Sequence, residues 1–285
     1  MLGASGARWA VMTLVVTWLS GCTTNQLLGA ANFVEGPGPR PTELAYGDGN
    51  RQRLDVYRPA AAGEPRPVVV FVHGGSWRSG DKTLYRWLGK SLAGEGFVAV
   101  LVNYGLMPTV RFPDSAHDVA AAVAFVRAHA AEWGGDPSRL TLMGHSAGAH
   151  LAALVTYDGR YLARHGLEPA LIQGFVGLSG PYDFLLDTPL LRSTFAGPPE
   201  RERDAQPVNF ANAAAPRSLL VMGRDDTTVN PRNTESLGRR LREVGAPVEE
   251  LWVAGDHGVT VGAFSRLYRG RSPIHARVVA FARGQ

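Results

Sequence analysis

Gly144-His145-Ser146-Ala147-Gly148 sets a hydroxyl nucleophile between two glycines in the middle of the chain. The apolar stretch Arg139 to Met143 leads into it, and a helix-forming run, Ala149 to Leu154, follows. A G-x-S-x-G segment between a strand and a helix makes a turn so tight that the serine backbone is strained and its hydroxyl stands clear of the sheet. Only residues without bulk fit two positions either side, which accounts for the flanking glycines. The chemistry implied is attack of Ser146 on a carbonyl carbon. Such a step needs a base, an acid to orient the base, and hydrogen-bond donors for the oxyanion that forms.

Each of these has a candidate. His73-Gly74-Gly75-Ser76-Trp77 follows the β-branched run Pro67 to Val72, which reads as a buried strand. Backbone N–H groups of Gly74, Gly75 and Ser76, with that of Ala147, are the candidate oxyanion donors, because glycines let the main chain approach the substrate closely. Where the serine stands on such a turn, the acid and then the histidine follow it along the chain. Asp225 and Asp226 compete for the acid's role after the strand Ser218 to Met222. Neighbouring side chains on an extended segment face opposite ways, so only one of them can serve. The spacing of Gly223, Asp226 and Val229 favours Asp226. His257, on a loop after the strand Val248 to Val253, is the candidate base. Of the other histidines, His117, His129 and His275 fall in helical stretches and read as surface or packing residues. His73 reads as a shaper of the oxyanion loop, and His145 and His150 flank the nucleophile.

Alternation of near-continuous apolar strands with helices positions these loops. Strands are expected at 54–57, 68–72, 98–102, 139–143, 172–178, 218–222 and 248–253. Helices are expected at 84–93, 116–131, after the serine, 231–244 and 275–282. That order predicts an α/β domain, a mostly parallel sheet with helices on both faces, over residues 46–285. Residues Tyr182 to Ala215 break the rhythm, and a small cap over the site is expected at about 181–215. Its Phe184, Phe195 and Phe210 are candidates for an acyl pocket or for packing onto the core.

The N-terminal region reads differently. An apolar stretch from Trp9 to Leu19, too short to span a bilayer, ends in Leu19-Ser20-Gly21-Cys22, which resembles a bacterial lipobox. Cys22 is the only cysteine in the chain, which excludes an intramolecular disulfide and a thiol nucleophile. The resemblance implies a signal peptide over 1–21, cleavage before Cys22, acylation of that residue, and a membrane-held envelope protein; Thr23 in place of an aspartate points to the outer membrane. Residues 22–45, dense in proline and glycine, are expected to form the anchor and a tether with little structure. The formal charge is +4, but the basic residues are spread along the chain, with no aromatic-interleaved patch of the nucleic-acid kind. No metal-ligand spacing or dinucleotide glycine pattern is present, so no metal and no cofactor is expected.

From about Arg53 onward the chain resembles the α/β-hydrolase superfamily, in its carboxylesterase and kynurenine-formamidase-like branch. The resemblance rests on His73 to Lys82, Asn103-Tyr104, Phe112-Pro113-Asp114 with Asp118, Gly135 to Leu140, Gly144 to Ala152 and Ser179 to Asp183. It implies a metal-free serine hydrolase with Ser146, Asp226 and His257 as its triad, but does not fix the substrate; the expected envelope location favours an esterase of small molecules, and the short insertion between Ser179 and Pro216 favours short acyl groups. An arylformamidase is the alternative, and a catalytically silent binding module a third reading. Where relatives often carry Tyr-Arg-Leu, this chain has Tyr104-Gly105-Leu106, so any ion pair that arginine supports is absent.

Overall fold

Strand β3 (Arg66–Val72) shows why the sheet reads as unbroken apolar runs. Val68, Val70 and Val72 pack into one buried cluster, and Val69 and Phe71 into a second on the opposite face. With both faces covered by helices, neither set of alternate residues meets water. The computed structural model describes residues 29, 31–33, 35, 36, 38–60 and 63–285. The segment expected to be a signal peptide (1–21) and the expected acylation site Cys22 lie outside the described residues.

Eight strands form one sheet: β1 (Thr42–Ala45), β2 (Arg53–Tyr57), β3, β4 (Val98–Val102), β5 (Gly135–His145), β6 (Ile172–Leu178), β7 (Arg217–Gly223) and β8 (Val248–Val253). Their spatial order is β1-β2-β4-β3-β5-β6-β7-β8, antiparallel at the first two pairings and parallel at the rest. Helices α1 (Arg86–Gly94), α2 (Asp114–His129), α3 (Ala147–Tyr157), α4 (Arg160–Ala163), α5 (Pro189–Phe195), α6 (Pro199–Asp204), α7 (Arg232–Glu243), α8 (Val259–Gly262) and α9 (Ile274–Arg283) complete it. Residues of α2 and α3 pack on one face of the sheet, and residues of α1 and α9 on the other. This is the α/β-hydrolase fold expected from the sequence.

The order of the chain reverses at β3, with β4 on one side and β5 on the other. In an open parallel sheet the crevice beyond the strand ends at such a reversal is where ligands bind. The His73–Gly80 loop leaves the end of β3 and Ser146 follows the end of β5, so both stand at that crevice. Between β6 and β7 the insertion carries α5, α6 and the 3-10 turn Pro207–Phe210.

The tether segment differs from expectation. Thr42–Ala45 pairs antiparallel with β2 as an edge strand, and Lys90 Nζ donates to the Gly36 carbonyl at 2.6 Å. Glu35 pairs with Arg269 at 2.6 Å. Proline density ends at Pro41, and a four-residue strand exposed along its edge has too few apolar residues to announce itself.

Candidate active site

Ser146 adopts φ 54° and ψ −126°, a backbone state that L-residues avoid, immediately before α3. The turn is confined by packing as well. A Cβ at Gly148 would lie 2.2 Å from the Val72 carbonyl oxygen, and one at Gly144 would lie 2.4 Å from the Gly148 oxygen. Glycine at both positions is therefore what lets α3 lie directly on β3 and β5. Ala147 is the first residue of α3, so its N–H has no partner within the helix.

The opposite wall is the loop after β3. Gly75 has φ 122°, and a Cβ there would lie 2.1 Å from the Ser79 oxygen. Ser76 and Trp77 also hold positive φ, at 53° and 59°. Among the described residues the N–H groups of Gly74, Gly75 and Ser76 donate to no backbone carbonyl. Gly74 lies against the nucleophile, since a Cβ placed on it would be 3.0 Å from Ser146 Cβ.

Asp226 and His257 are joined. His257 Nδ1 lies 2.7 Å from Asp226 Oδ2. The other oxygen of Asp226 accepts the N–H groups of Thr228 and Val229, each at 2.9 Å. Burial alone would lift the Asp226 pKa, but the hydrogen bonds from His257 and those two amides outweigh it and hold the carboxyl below its ordinary value. An ionised Asp226 obliges Nδ1 of His257 to carry the proton, which leaves Nε2 as an acceptor. Asp225 points elsewhere and accepts the Gly255 N–H at 2.9 Å. The adjacent aspartates thus face opposite ways, and it is Asp226 that meets the histidine.

The flanking histidines occupy separate posts. His145 Nε2 donates to the His257 carbonyl at 3.2 Å, and the two rings lie 4.9 Å apart. Burial holds the His145 pKa down at about 3. His150 is buried; its Nδ1 accepts Trp77 Nε1–H at 3.2 Å and its Nε2 donates to the Ala205 carbonyl at 2.8 Å. It ties the oxyanion loop to the insertion. His73 donates from Nδ1 to the Gly74 carbonyl at 2.7 Å, as a shaper of that loop would.

Arg51 carried no signal in the sequence, yet it braces the loop from beneath. Its Nε donates to the Tyr104 carbonyl at 2.8 Å and its Nη2 to the Gly80 carbonyl at 2.9 Å, with Asp81 3.6 Å away. An arginine thus reaches the Tyr104 segment from the β1–β2 turn, although position 105 is glycine. A lone arginine in a turn has no periodicity or motif to mark it. Lys82, at the end of the His73 to Lys82 stretch, is 3% exposed and lies 2.6 Å from both Asp55 and Glu43. Burial draws its pKa down, but the hydrogen bonds to those carboxylates prevail and keep the ammonium above its ordinary value.

A cavity of about 890 Å³ opens above the serine, lined by Ser76, Ser146, Ala147 and Asp226 among others. Its lining mixes the apolar Trp77, Phe184, Leu190 and Leu191 with the polar Asp183, Asp187, Thr228, Asn230, Arg232 and Glu235. Of the three phenylalanines considered for an acyl pocket, Phe184 lines this cavity. Phe195 is buried in the core beneath it, and Phe210 lies under the Arg160 guanidinium, 5.0 Å from its centroid. No cluster of metal-ligating side chains occurs among the described residues, and no helix among them is long and apolar enough to cross a membrane.

A strained serine between β5 and α3, on a mostly parallel sheet with a histidine–aspartate pair at the same edge, defines an α/β-hydrolase. Residues 54–241 match the BD-FAE family model, and the chain belongs to that family. It is 32% identical over 235 residues to the probable isoprenylcysteine alpha-carbonyl methylesterase ICMEL1 of Arabidopsis thaliana, covering 74% of this chain and 49% of that protein. It is 30% identical over 243 residues to esterase LipQ of Mycobacterium tuberculosis, covering 76% of this chain and 58% of the relative. The chain therefore spans about half to three fifths of the length of these relatives. The butyrate-bound esterase Est2 of Thermogutta terrifontis superposes with a TM-score of 0.70 at 23% identity, over 87% of this chain and 93% of that one, and shares its fold.

Proposed function

We propose that the protein is a serine carboxylesterase acting on short-acyl esters. The observation that carries this reading is the bond from His257 Nδ1 to Asp226, which leaves Nε2 free to accept a proton at the edge where Ser146 stands. In the proposed cycle His257 Nε2 takes the Ser146 proton as Oγ attacks the ester carbonyl. The oxyanion is received by the Ala147 N–H and by amides of the Gly74–Ser76 loop. The tetrahedral adduct then collapses: the ester C–O bond breaks and the proton on His257 passes to the departing alcohol. Water, deprotonated by the same Nε2, hydrolyses the acyl-serine and restores the enzyme. Asp226 stays ionised throughout and stabilises the imidazolium.

Relatives named as esterases support the reaction class, and the butyrate in the Est2 structure supports a short acyl group. The cavity supports the same reading, because its few apolar side chains are interspersed with polar and charged ones. Each methylene buried would contribute about 0.8 kcal/mol, so a deep apolar tunnel would make kcat/KM climb with chain length. A maximum at acetyl to butyryl is expected across p-nitrophenyl esters, with a fall by octanoyl. A continued rise past decanoyl overturns the short-acyl reading, and faster turnover of N-formylkynurenine than of any ester replaces it with the formamidase one. The nucleophile is tested in the same assay. Ser146→Ala should take up no fluorophosphonate label and should lose all but the residual ~10³–10⁴-fold rate over water that the oxyanion hole and binding supply.

A further inference from the structure

A second cavity, of about 500 Å³, lies on the other flank of the insertion and shares no lining residue with the one above Ser146. It is built from both sides of a seam. The core contributes Phe112, His117, Tyr161 of α4 and Arg164 just after it; the insertion contributes Pro198 and Arg201. Its size falls within the range of small-molecule sites.

Three arginines and three carboxylates line this cavity, but the pairing among them is uneven. Arg160 is saturated by Asp158 at 2.8 Å and Asp204 at 2.9 Å. Glu200 is the remaining carboxylate on the lining, which also carries the guanidinium groups of Arg164 and Arg201. Neither arginine forms an ion pair among the described residues. Arg201 spends one Nη2 hydrogen on the Phe112 carbonyl at 2.6 Å, while its Nε is buried without a partner. The Nδ1 of His117 is buried without one too. The Nη1 group of Arg201 makes no hydrogen bond among the described residues, so its guanidinium keeps donors that a ligand could meet.

We infer that this cavity is a second ligand site, for a small carboxylate with an apolar body. The apolar body would pack on Phe112, Tyr161 and Pro198, and the carboxylate would meet Arg164 and Arg201, whose planar forks suit it. Occupancy would join core to insertion, because the two arginines lie on opposite sides of the seam. It would also be felt at the first cavity. Phe112 packs on Phe195 at 5.4 Å between centroids, and Phe195 on Trp77 at 4.8 Å, next to Ser76.

The test is isothermal titration of the full chain carrying Ser146→Ala with octanoate, and with octanol and octylammonium as the neutral and cationic counterparts. It reads binding alone, so it stands whether or not the esterase reading holds. One octanoate per chain is expected, at least tenfold tighter than either counterpart. Arg164→Gln, at an exposed position that leaves the fold intact, should weaken it several-fold. Adding Arg201→Gln should bring octanoate down to the affinity of octanol. Phe184→Ala, in the first cavity, should leave it unchanged. Equal binding of octanoate and octanol, no binding at millimolar concentration, or a loss caused by Phe184→Ala and not by the arginine variants, each overturns the inference.

Discussion

Around the loop from His73 to Lys82, polar side chains are buried and paired. Lys82 and Asp55 are 3% and 4% exposed, Tyr104 donates to the His73 carbonyl at 3.0 Å, and Asn103 Nδ2 donates to Asp81 at 2.7 Å. Across the cavity, the insertion between β6 and β7 is held mostly at its surface. Arg203 and Asp204 pair at 67% and 24% exposure, and Arg78 reaches over to the exposed Ser193. Its deep attachments are Phe195, fully buried among aromatic rings, and the bond from His150 to the Ala205 carbonyl. Charges taken out of water need their partners, whereas exposed ones have water in reserve. One wall of the site is thus fixed by groups that cannot be removed singly, and the other by a few apolar anchors under a replaceable surface.

The largest effect expected lies at the fixed edge. Asp226→Asn should lower kcat about 10⁴-fold, because an amide in place of the carboxylate no longer holds Nδ1 protonated and Nε2 open. Asp225→Asn, whose carboxylate only receives the Gly255 N–H, should stay within a few-fold of the parent. Steady-state rates on p-nitrophenyl acetate decide it, and the reverse ranking moves the orienting role to Asp225.

Next is stability. Lys82→Met leaves Asp55 buried without its counter-ion, and unfolding in urea should show a loss of about 3–5 kcal/mol. Arg203→Ala in the insertion should cost about 0–1 kcal/mol in the same measurement. Equal losses would erase the difference between the two walls.

The smallest effect per residue comes from pH. Burial depresses the pKa of His73 and His150 to about 4 and of His145 to about 3. Unfolded, each takes up a proton near pH 6.5. Their contribution to stability is complete above that value and is lost as pH falls from about 6.5 towards about 4. Unfolding free energy should therefore drop between pH 7 and pH 5 by roughly 2 kcal/mol for each of the three histidines. His150→Asn should remove about a third of that drop, since the other two histidines belong to the sheet edge. A flat profile over this window would mean that these side chains are not held neutral.

Much of the site is legible in the chain because its constraints are local. The strained turn at Ser146 needs glycines two positions away, and the loop after β3 needs Gly75, so both sides of the oxyanion site are written in short motifs. Unbroken apolar runs can be satisfied only by burial on both faces, so β4, β6 and β8 fall on the expected bounds, while β3 begins two residues earlier and β5 four residues earlier, where the chain turns polar. The helix before the serine's strand likewise starts only two residues earlier than its apolar pattern suggests.

What the tertiary structure decided is everything that depends on direction and on distant partners. Which of Asp225 and Asp226 faces His257 is a matter of the turn's path; the spacing from Gly223 and Val229 favours Asp226, but only the fold brings its carboxylate to the histidine. The tether's edge strand depends on β2 offering a free edge, and the roles of Arg51, Lys82 and His150 depend on groups 27 to 73 residues away in the chain. Local patterning fixes which face of an element is apolar. A polar side chain's partner is chosen by where the fold delivers it, because its hydrogen bonds and charge are satisfied equally well by any correctly placed group, near or far along the chain.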